Sequence, residues 1–556
     1  VYGNTLLNGF VNDDKPLVAQ NALVNDAARL GDIFTSGYWS TRQESVPELY
    51  RPFTVLTLAL NRRLTGAAPF GFHLVNLLLH GWVSYLVFQC ALRLGTRRAA
   101  AWAAGLLFAV HPVHTEAVAP VVGRSELLAG GFFLAALSLH HRIRQGEGSA
   151  LSPLLAGACY LAASLSKEGA LIFPAIALLT DFAFPPARPL AAKSRWGPYL
   201  VYALAALLVL GLRYEVLGAV ARSDIRALDN PLVALPAGSA LGTALVALGI
   251  YLKLLVWPWS LSADYSGMEP ASGWLDPRVL ATVGIVLLLL ALAAWTWKRL
   301  RPVSWGIAFL FIALLPVANL FFLIGTIFGE RLLYLPSVGF CVALGALWGE
   351  WRHRNGAPAL AVLALLLLAG SVRSAVRSTV WHDDGSFALA TSRNAPTSAK
   401  AQFNWGVFLE EHSEGAQAEA AYRRAAQLAP DWSDPRYNLA GILARSERLE
   451  EAIQEYQAAL SMRPGDPRTV LNLGYALYRA GRHAEAVDLY QRFLREQGES
   501  APVLNSLGAN LLALDRREEA VAAFRRAVAL APGESGYRKN LEQALQAGTG
   551  SEGPTP

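Results

Sequence analysis

The chain has 556 residues, of which 53% are hydrophobic and only 16% charged, with a mean hydropathy of +0.32. A soluble domain carries about 25% charged residues, so this composition excludes a wholly aqueous protein and puts part of the chain in lipid. The formal charge of +6 is small and its basic residues fall in loops between apolar runs, which excludes the continuous basic stripe of a nucleic-acid binder.

In chain order, Val1 opens the sequence with no basic leader ahead of it, so a trimmed or processed start lacking an upstream helix is expected. FVNDDKPLV, residues 10–18, then places two adjacent carboxylates, Asp13 and Asp14, in a polar stretch that lasts to about residue 70. Apolar runs follow at 71–92, 99–113, 126–141, 151–165, 169–185, 196–216, 277–297, 303–323, 333–350 and 357–377. A helix needs about 20 such residues to cross a bilayer, and slightly fewer when packed among others. Cys90, Cys159 and Cys341 all sit inside these runs and read as small core residues, with no disulfide framework or cysteine metal site.

Basic loops fix the alternation. Arg93, Arg97 and Arg98 share one loop, Arg142 and Arg144 another, Arg188, Lys193 and Arg195 a third, Lys298, Arg299 and Arg301 a fourth, and Arg352, His353 and Arg354 a fifth. By the positive-inside rule these are cytoplasmic. The N-terminal stretch, HPVHTEAVAPVVGRSE, the SKEG turn, 217–276 and IFGERLLY then fall on the external face. One run, 240–257, breaks the alternation if it crosses, so it is expected to be re-entrant or to lie along the membrane surface.

From residue 401 the pattern changes to a repeat of 34. Gly406, Ala440, Gly474 and Gly508 are in phase, as are Ala418, Ala452, Ala486 and Ala520, and Tyr422, Tyr456, Tyr490 and Phe524. This is the tetratricopeptide period: small residues where paired helices approach closely, and an aromatic to fill the gap. A half-repeat at 383–395 and a closing helix at 534–546 complete the array. The expected domains are therefore 1–377 in the membrane with external loops, a half-repeat linker over 378–400, and a repeat domain over 401–556.

A charge at the centre of an inserted helix costs about 2.5 to 3.5 kcal/mol, so polar residues near the membrane are functional hints. Here they crowd the external ends of the spans: Arg51; His111, His114, Glu116, Arg124 and Glu126; Lys167 and Glu168; Asp264 and Tyr265; and Glu330, Arg331 and Tyr334. Arg51, Arg124, Lys167 and Arg331 together suit a phosphate at headgroup depth, hence a lipid-linked one. The bland alternative pairs Lys167 with Glu168, Arg124 with Glu126, and Arg331 with Glu330 at helix ends, where long side chains reach water. His111, His114 and Glu116 are zinc-type ligands, but the spacing H-x-x-H-x-E matches no closed site, and hydrogen bonding to a sugar or phosphate is the preferred role. No metal is assigned.

YGNTLLNGFVNDD, YRPFTVLTLALNRRLTGAAPFGFHLVNLLLH, HPVHTEAVAPVVGRSELLA, SKEGALIF, LSADYS and ERLLYLPSVGF, in this order and ahead of the repeats, resemble the transmembrane and tetratricopeptide repeat-containing (TMTC) proteins, a family of O-mannosyltransferases. The composition, rich in Ala, Leu and Arg, points to a bacterial member. The resemblance implies an all-α GT-C transmembrane domain followed by a tetratricopeptide α-solenoid. It also implies transfer of mannose from a polyprenyl-phosphate carrier to Ser or Thr hydroxyls of an extended acceptor protein, without a required cofactor. The site would face the periplasm, or the endoplasmic reticulum lumen in a eukaryote. By the same resemblance an acidic residue of the first external loop is the base, which favours Asp13 over Asp14. Arg331, Arg124, Lys167 and Arg51 would hold the donor phosphate; His111, His114, Glu116, Glu126, Glu168, Asp264, Tyr265 and Tyr334 would contact sugar or acceptor. A GT-C enzyme acting on a lipid or glycan, a transporter with a peptide-binding tail and a non-catalytic scaffold are the competing classes.

Overall fold

The computed structural model describes residues 1–26, 29–39, 49–186, 192–219 and 225–546. The chain forms two compact units, Val1–Ala395 and Pro396–Pro556.

In the first unit the apolar runs form α1 (Pro52–Thr65), α2 (Pro69–Arg93), α3 (Arg98–Val110), α4 (Arg124–Arg144), α5 (Ser152–Ser166), α6 (Phe173–Ala183), α7 (Ala192–Leu217), α8 (Ala237–Val256), α9 (Pro277–Thr296), α10 (Arg301–Leu314), α11 (Ser337–Ser378) and α12 (Asp384–Asn394). Among the described residues six helices are long and apolar enough to cross a membrane, and α3, α5 and α10 are shorter apolar helices. Prolines account for two of the short ones. Pro112 cuts the run 99–113 to a helix ending at Val110, and Pro316 cuts 303–323 to one ending at Leu314, because proline lacks an N–H and clashes with the preceding turn. Of the basic loop at Arg188, Lys193 and Arg195, Arg188 lies outside the described residues, and so do the other two side chains.

The runs 333–350 and 357–377 join in α11, which breaks at Gly356, φ 46° and ψ −109°. That left-handed φ favours glycine, and the chain reverses there. Gly345 and Gly349 pack on Ala100 and Ala104 of α3, and Gly370 returns to Val110 at the opposite end of that helix. Gly306 of α10 and Gly339 of α11 abut backbone to backbone, leaving no room for a Cβ on either.

Several helix ends collect at one end of the bundle. His114 Nε2 lies 2.8 Å from Ser337 Oγ, Ser374 Oγ donates to the Val110 carbonyl at 2.8 Å, and the Tyr2 hydroxyl donates to the His111 carbonyl at 3.0 Å. The opposite end is marked by Asp181, which accepts from Arg144 Nε and the Tyr199 hydroxyl at 2.7 Å each. Helix α8, the run that breaks the alternation, is continuous, yet both flanks meet the first end. Asn230 Nδ2 donates to the Ile324 carbonyl at 2.9 Å in the loop after α10, and His111 Nε2 donates to the Leu255 carbonyl at 2.9 Å. Both flanks of α8 are thus tied to that end of the bundle.

In the second unit helix pairs run from Ala399–Glu411 to Ser535–Gln546. The 34-residue phase has a direct steric cause: a Cβ on Gly406, Gly474 or Gly508 would press into the ring of Tyr422, Tyr490 or Phe524. The segment read as a linker, 378–400, is divided, since α12 belongs to the first unit and packs Phe387 on Trp381 with ring centroids 4.7 Å apart.

The α10–α11 crossing gives a test. Gly339→Val is expected to cost about 1 to 3 kcal/mol through overpacking and to lower the melting temperature in detergent. Gly284→Val, at a glycine with nothing within 4 Å, is expected to leave it unchanged.

Candidate active site

The acidic pair of the N-terminal loop divides its work. Asp14 is fully buried; its two carboxylate oxygens accept the Val122 N–H at 2.7 Å and the Val121 N–H at 3.0 Å, at the turn that opens α4. Burial raises its pKa to about 7, against the pull of those two N–H groups. Asp13 is only partly buried and stays at the surface of the loop. The preceding Asn12 has φ 50°, a left-handed turn just ahead of the pair.

The same turn explains Arg124. Its guanidinium is fully buried and donates to Asn76 Oδ1 at 2.9 Å, Asn61 Oδ1 at 2.7 Å and the Phe72 carbonyl at 2.9 Å. Asn76 Nδ2 donates in turn to the Pro120 carbonyl at 3.0 Å. Arg124, expected among the phosphate ligands, is therefore a strut that fixes the turn on which Asp14 rests. It differs from the expectation because two asparagines and a carbonyl, invisible as partners in sequence, use its donors.

Beside this loop runs a row of paired charges. Arg51 grips Glu168 with two parallel bonds of 3.0 and 2.7 Å, and its guanidinium lies over the Tyr38 ring, 5.4 Å from the centroid. Tyr38 packs in one apolar cluster with Leu17 and Val18, which puts the acidic loop next to the row. Lys167 pairs with Glu126. Arg331 donates through its backbone N–H to Glu116 Oε2 at 2.9 Å and through Nη1 to Glu116 Oε1 at 2.7 Å. Burial pushes the Lys167 ammonium well below its usual range, and Arg51 and Arg331 add to the effect. Burial acts to raise Glu168, but the Arg51 guanidinium overcomes it and holds that carboxyl well below the usual range. Exposure separates the members of the row: the Arg331 side chain is 41% accessible and Glu168 38%, against 12% for Arg51 and 3% for Glu116. Arg331 is thus the most open cation of the row.

These pairings differ from the neighbour-in-sequence alternative. Lys167 pairs with Glu126 rather than Glu168, Arg124 takes two asparagines and a carbonyl rather than Glu126, and Arg331 takes Glu116 rather than Glu330. Glu330 instead faces inward, 3.8 Å from Arg377, and accepts from the Tyr265 hydroxyl at 2.8 Å. Burial raises the Glu330 pKa to about 7, with Arg377 opposing.

Other expected sugar or acceptor contacts are engaged inside the protein. His111 donates from Nε2 to Leu255 and accepts the Val113 N–H on Nδ1 at 3.3 Å, and His114 bonds the Phe108 carbonyl at 2.8 Å and Ser337. Burial lowers the His111 pKa to about 4 and holds that of His114 well below the usual range. Both are neutral struts with their ring nitrogens occupied. Tyr334 is buried with its hydroxyl 2.9 Å from His80 Nδ1. Tyr265 serves Glu330, and Asp264 accepts the Ser266 N–H at 2.6 Å in a local turn. Sequence reasoning missed Tyr38, Asn61, Asn76, Arg377 and Asp384. For the last there was a signal, since His382-Asp383-Asp384 after the final span repeats the Asn12-Asp13-Asp14 pattern.

Fold and site together define a polytopic membrane protein with a cluster of paired charges at one end of its bundle and a tetratricopeptide tail. Models of the tetratricopeptide repeat match residues 409–467, 443–511 and 501–534. Curated relatives include Protein O-mannosyl-transferase TMTC3 of Mus musculus, 28% identical over 81% of this chain and 52% of its own length. TMTC1 of Homo sapiens is 32% identical over 80% of this chain and 55% of its own, and F38B6.6 of Caenorhabditis elegans, also named a protein O-mannosyl-transferase, 31% over 78% and 61%. The chain is a relative of the TMTC proteins, as its motifs led one to expect, and spans between half and two thirds of the length of these curated relatives. Among solved structures, YrrB, titled a TPR protein with an unusual peptide-binding site, is 18% identical, with a TM-score of 0.26, over 36% of this chain and 97% of its own.

The Asp14 environment gives a signed pH test. Its folded pKa of about 7 lies above the ordinary 3.8, so its contribution to stability is complete below the ordinary value and is lost as pH rises toward 7. The melting temperature is expected to fall between about pH 4 and about pH 7, and to fall less in Asp14→Asn, by thermal unfolding in detergent.

Proposed function

We propose that this chain is a GT-C glycosyltransferase of the membrane that moves mannose from a polyprenyl-phosphate carrier to Ser or Thr hydroxyls of acceptor proteins. The observation that carries this reading is the partly buried Asp13, held by its buried neighbour beside a row of paired cations at one end of the bundle. Relatives named as protein O-mannosyl-transferases support the same class.

In this scheme Asp13 accepts the proton of the attacking hydroxyl, a contribution of typically 10²- to 10⁴-fold. Arg331 meets the carrier phosphate and stabilises the charge that gathers on the leaving group. Glu116 aims Arg331 through backbone and side chain together, so the guanidinium is oriented before substrate arrives. Arg51 and Lys167, each already paired, add a positive field along the row and limit its cost in lipid. A covalent glycosyl-enzyme would require a second carboxylate at the anomeric carbon. Glu116 is buried and engaged with Arg331, which favours single displacement with inversion, from a β-phosphosugar to an α-product. The leaving-group charge is carried by the guanidinium, and no metal or cofactor is invoked. The repeats would raise the local concentration of extended acceptor protein, with site and tail on the external face, periplasmic or lumenal.

The test is transfer from polyprenyl-phosphate-mannose to acceptor peptide by full-length protein in detergent, read by mass spectrometry for hexose on Ser or Thr. Asp13→Asn is expected to lower the rate by at least about 100-fold in a protein that still folds. Unchanged transfer would reject the base assignment, and hexose found on a lipid acceptor but not on peptide would reject the acceptor class.

A further inference from the structure

The loop that carries Asp13 is held from two sides. Asp14 fixes it to the turn before α4. The second hold comes from the segment that follows α11. The Gly9 N–H donates to the His382 carbonyl at 2.9 Å, the Asn12 N–H donates to Asp384 Oδ1 at 3.1 Å, and the Lys15 ammonium pairs with Asp384 Oδ2. Beneath these bonds Val11 packs with Trp381, Phe387 and Ala119 in one apolar cluster.

We infer that Asp384 is a positioning residue for Asp13, and that the segment from Trp381 to Phe387 is part of the reaction centre rather than a connector to the repeats. The inference rests on Asp13 being the base. Two features of the contact support it. Asp384 spans the acidic pair, bonding the backbone of Asn12 on one side and the side chain of Lys15 on the other, so it constrains the direction in which Asp13 leaves the loop. Asn12 holds a left-handed φ of 50°, a turn that asparagine adopts readily, and the Asp384 bond to its N–H holds that turn in place. The Lys15–Asp384 pair, by contrast, is exposed at 48% and 39%. An ion pair in that setting contributes little by itself, so the informative bond is the one to the Asn12 N–H. A carboxylate whose proton acceptor must sit within hydrogen-bond reach of a substrate hydroxyl is sensitive to displacements of about 1 Å, which can cost 100-fold in rate.

The experiment uses the full chain in nanodiscs, with polyprenyl-phosphate-mannose and a Ser-containing acceptor peptide, alongside amide hydrogen exchange. Asp384→Ala is expected to lower kcat about tenfold, with a change in KM for donor below about twofold. Exchange is expected to speed up in residues 9–15 and to stay unchanged in the repeats. Asp384→Asn keeps an oxygen for the Asn12 N–H and is expected to hold kcat within about threefold of the unmodified protein. Asp384→Ala with unaltered kcat and unaltered exchange over 9–15, while Asp13→Asn abolishes transfer, overturns the positioning role and leaves the base assignment standing. An Asp384→Asn variant as impaired as Asp384→Ala also overturns it. If Asp13→Asn retains full transfer, the base assignment fails and the positioning role fails with it, whatever the exchange over residues 9–15.

Discussion

The buried carboxylate of Asp14 is the constraint on which the arrangement of the site depends. It takes the backbone N–H groups of Val121 and Val122, and thereby pins a loop with little regular structure to the start of a long apolar helix. The turn it binds is itself braced by Arg124 through Asn61, Asn76 and the Phe72 carbonyl. A carboxylate in so dry a place resists ionisation, which is why burial rather than its neighbour Asp13 dominates its proton affinity. The consequence for chemistry is a division within one dipeptide: the fully buried acid determines where the loop lies, and its partly buried neighbour is carried in place by it.

Around this anchor the charges are arranged as pairs, and pairing serves two purposes. Unpaired ions at this depth would be costly, and each cation of the row except the strut Arg124 meets a carboxylate from a different segment. Arg51 reaches Glu168, Lys167 reaches Glu126, and Arg331 reaches Glu116. Since the partners lie far apart in sequence, the pairs also tie the ends of several helices together. They pre-orient the one broadly accessible guanidinium, so that little reorganisation remains for the moment of transfer. The row is therefore a structural element of the bundle end and an electrostatic element of the proposed reaction.

Much of this was legible in the sequence, and what was not has physical causes. Periodicity located the apolar helices and the repeat phase, because both reflect burial patterns that recur along the chain. Charge alternation alone set the run 240–257 apart from the other apolar runs. Partner choice was not legible. Nothing local to His111, His114, Tyr334 or Arg124 shows that their polar atoms are taken up by Leu255, Ser337, His80 and Asn76, since those contacts bridge segments distant in the chain. Polar crowding at the span ends therefore picked out residues that do meet at one end of the bundle, but many of them spend their polar atoms on one another. The role of Asp384 was hidden by assigning its segment to the repeats, although the second acidic pair after the last span was visible.

The most direct measurement is a structure of the full chain in nanodiscs with a non-transferable phosphonate analogue of polyprenyl-phosphate-mannose. The account predicts the phosphonate against the Arg331 guanidinium, with the anomeric carbon open to attack from the side of Asp13. A headgroup bound near Asp181 at the opposite end of the bundle, or one out of reach of Arg331, would contradict it.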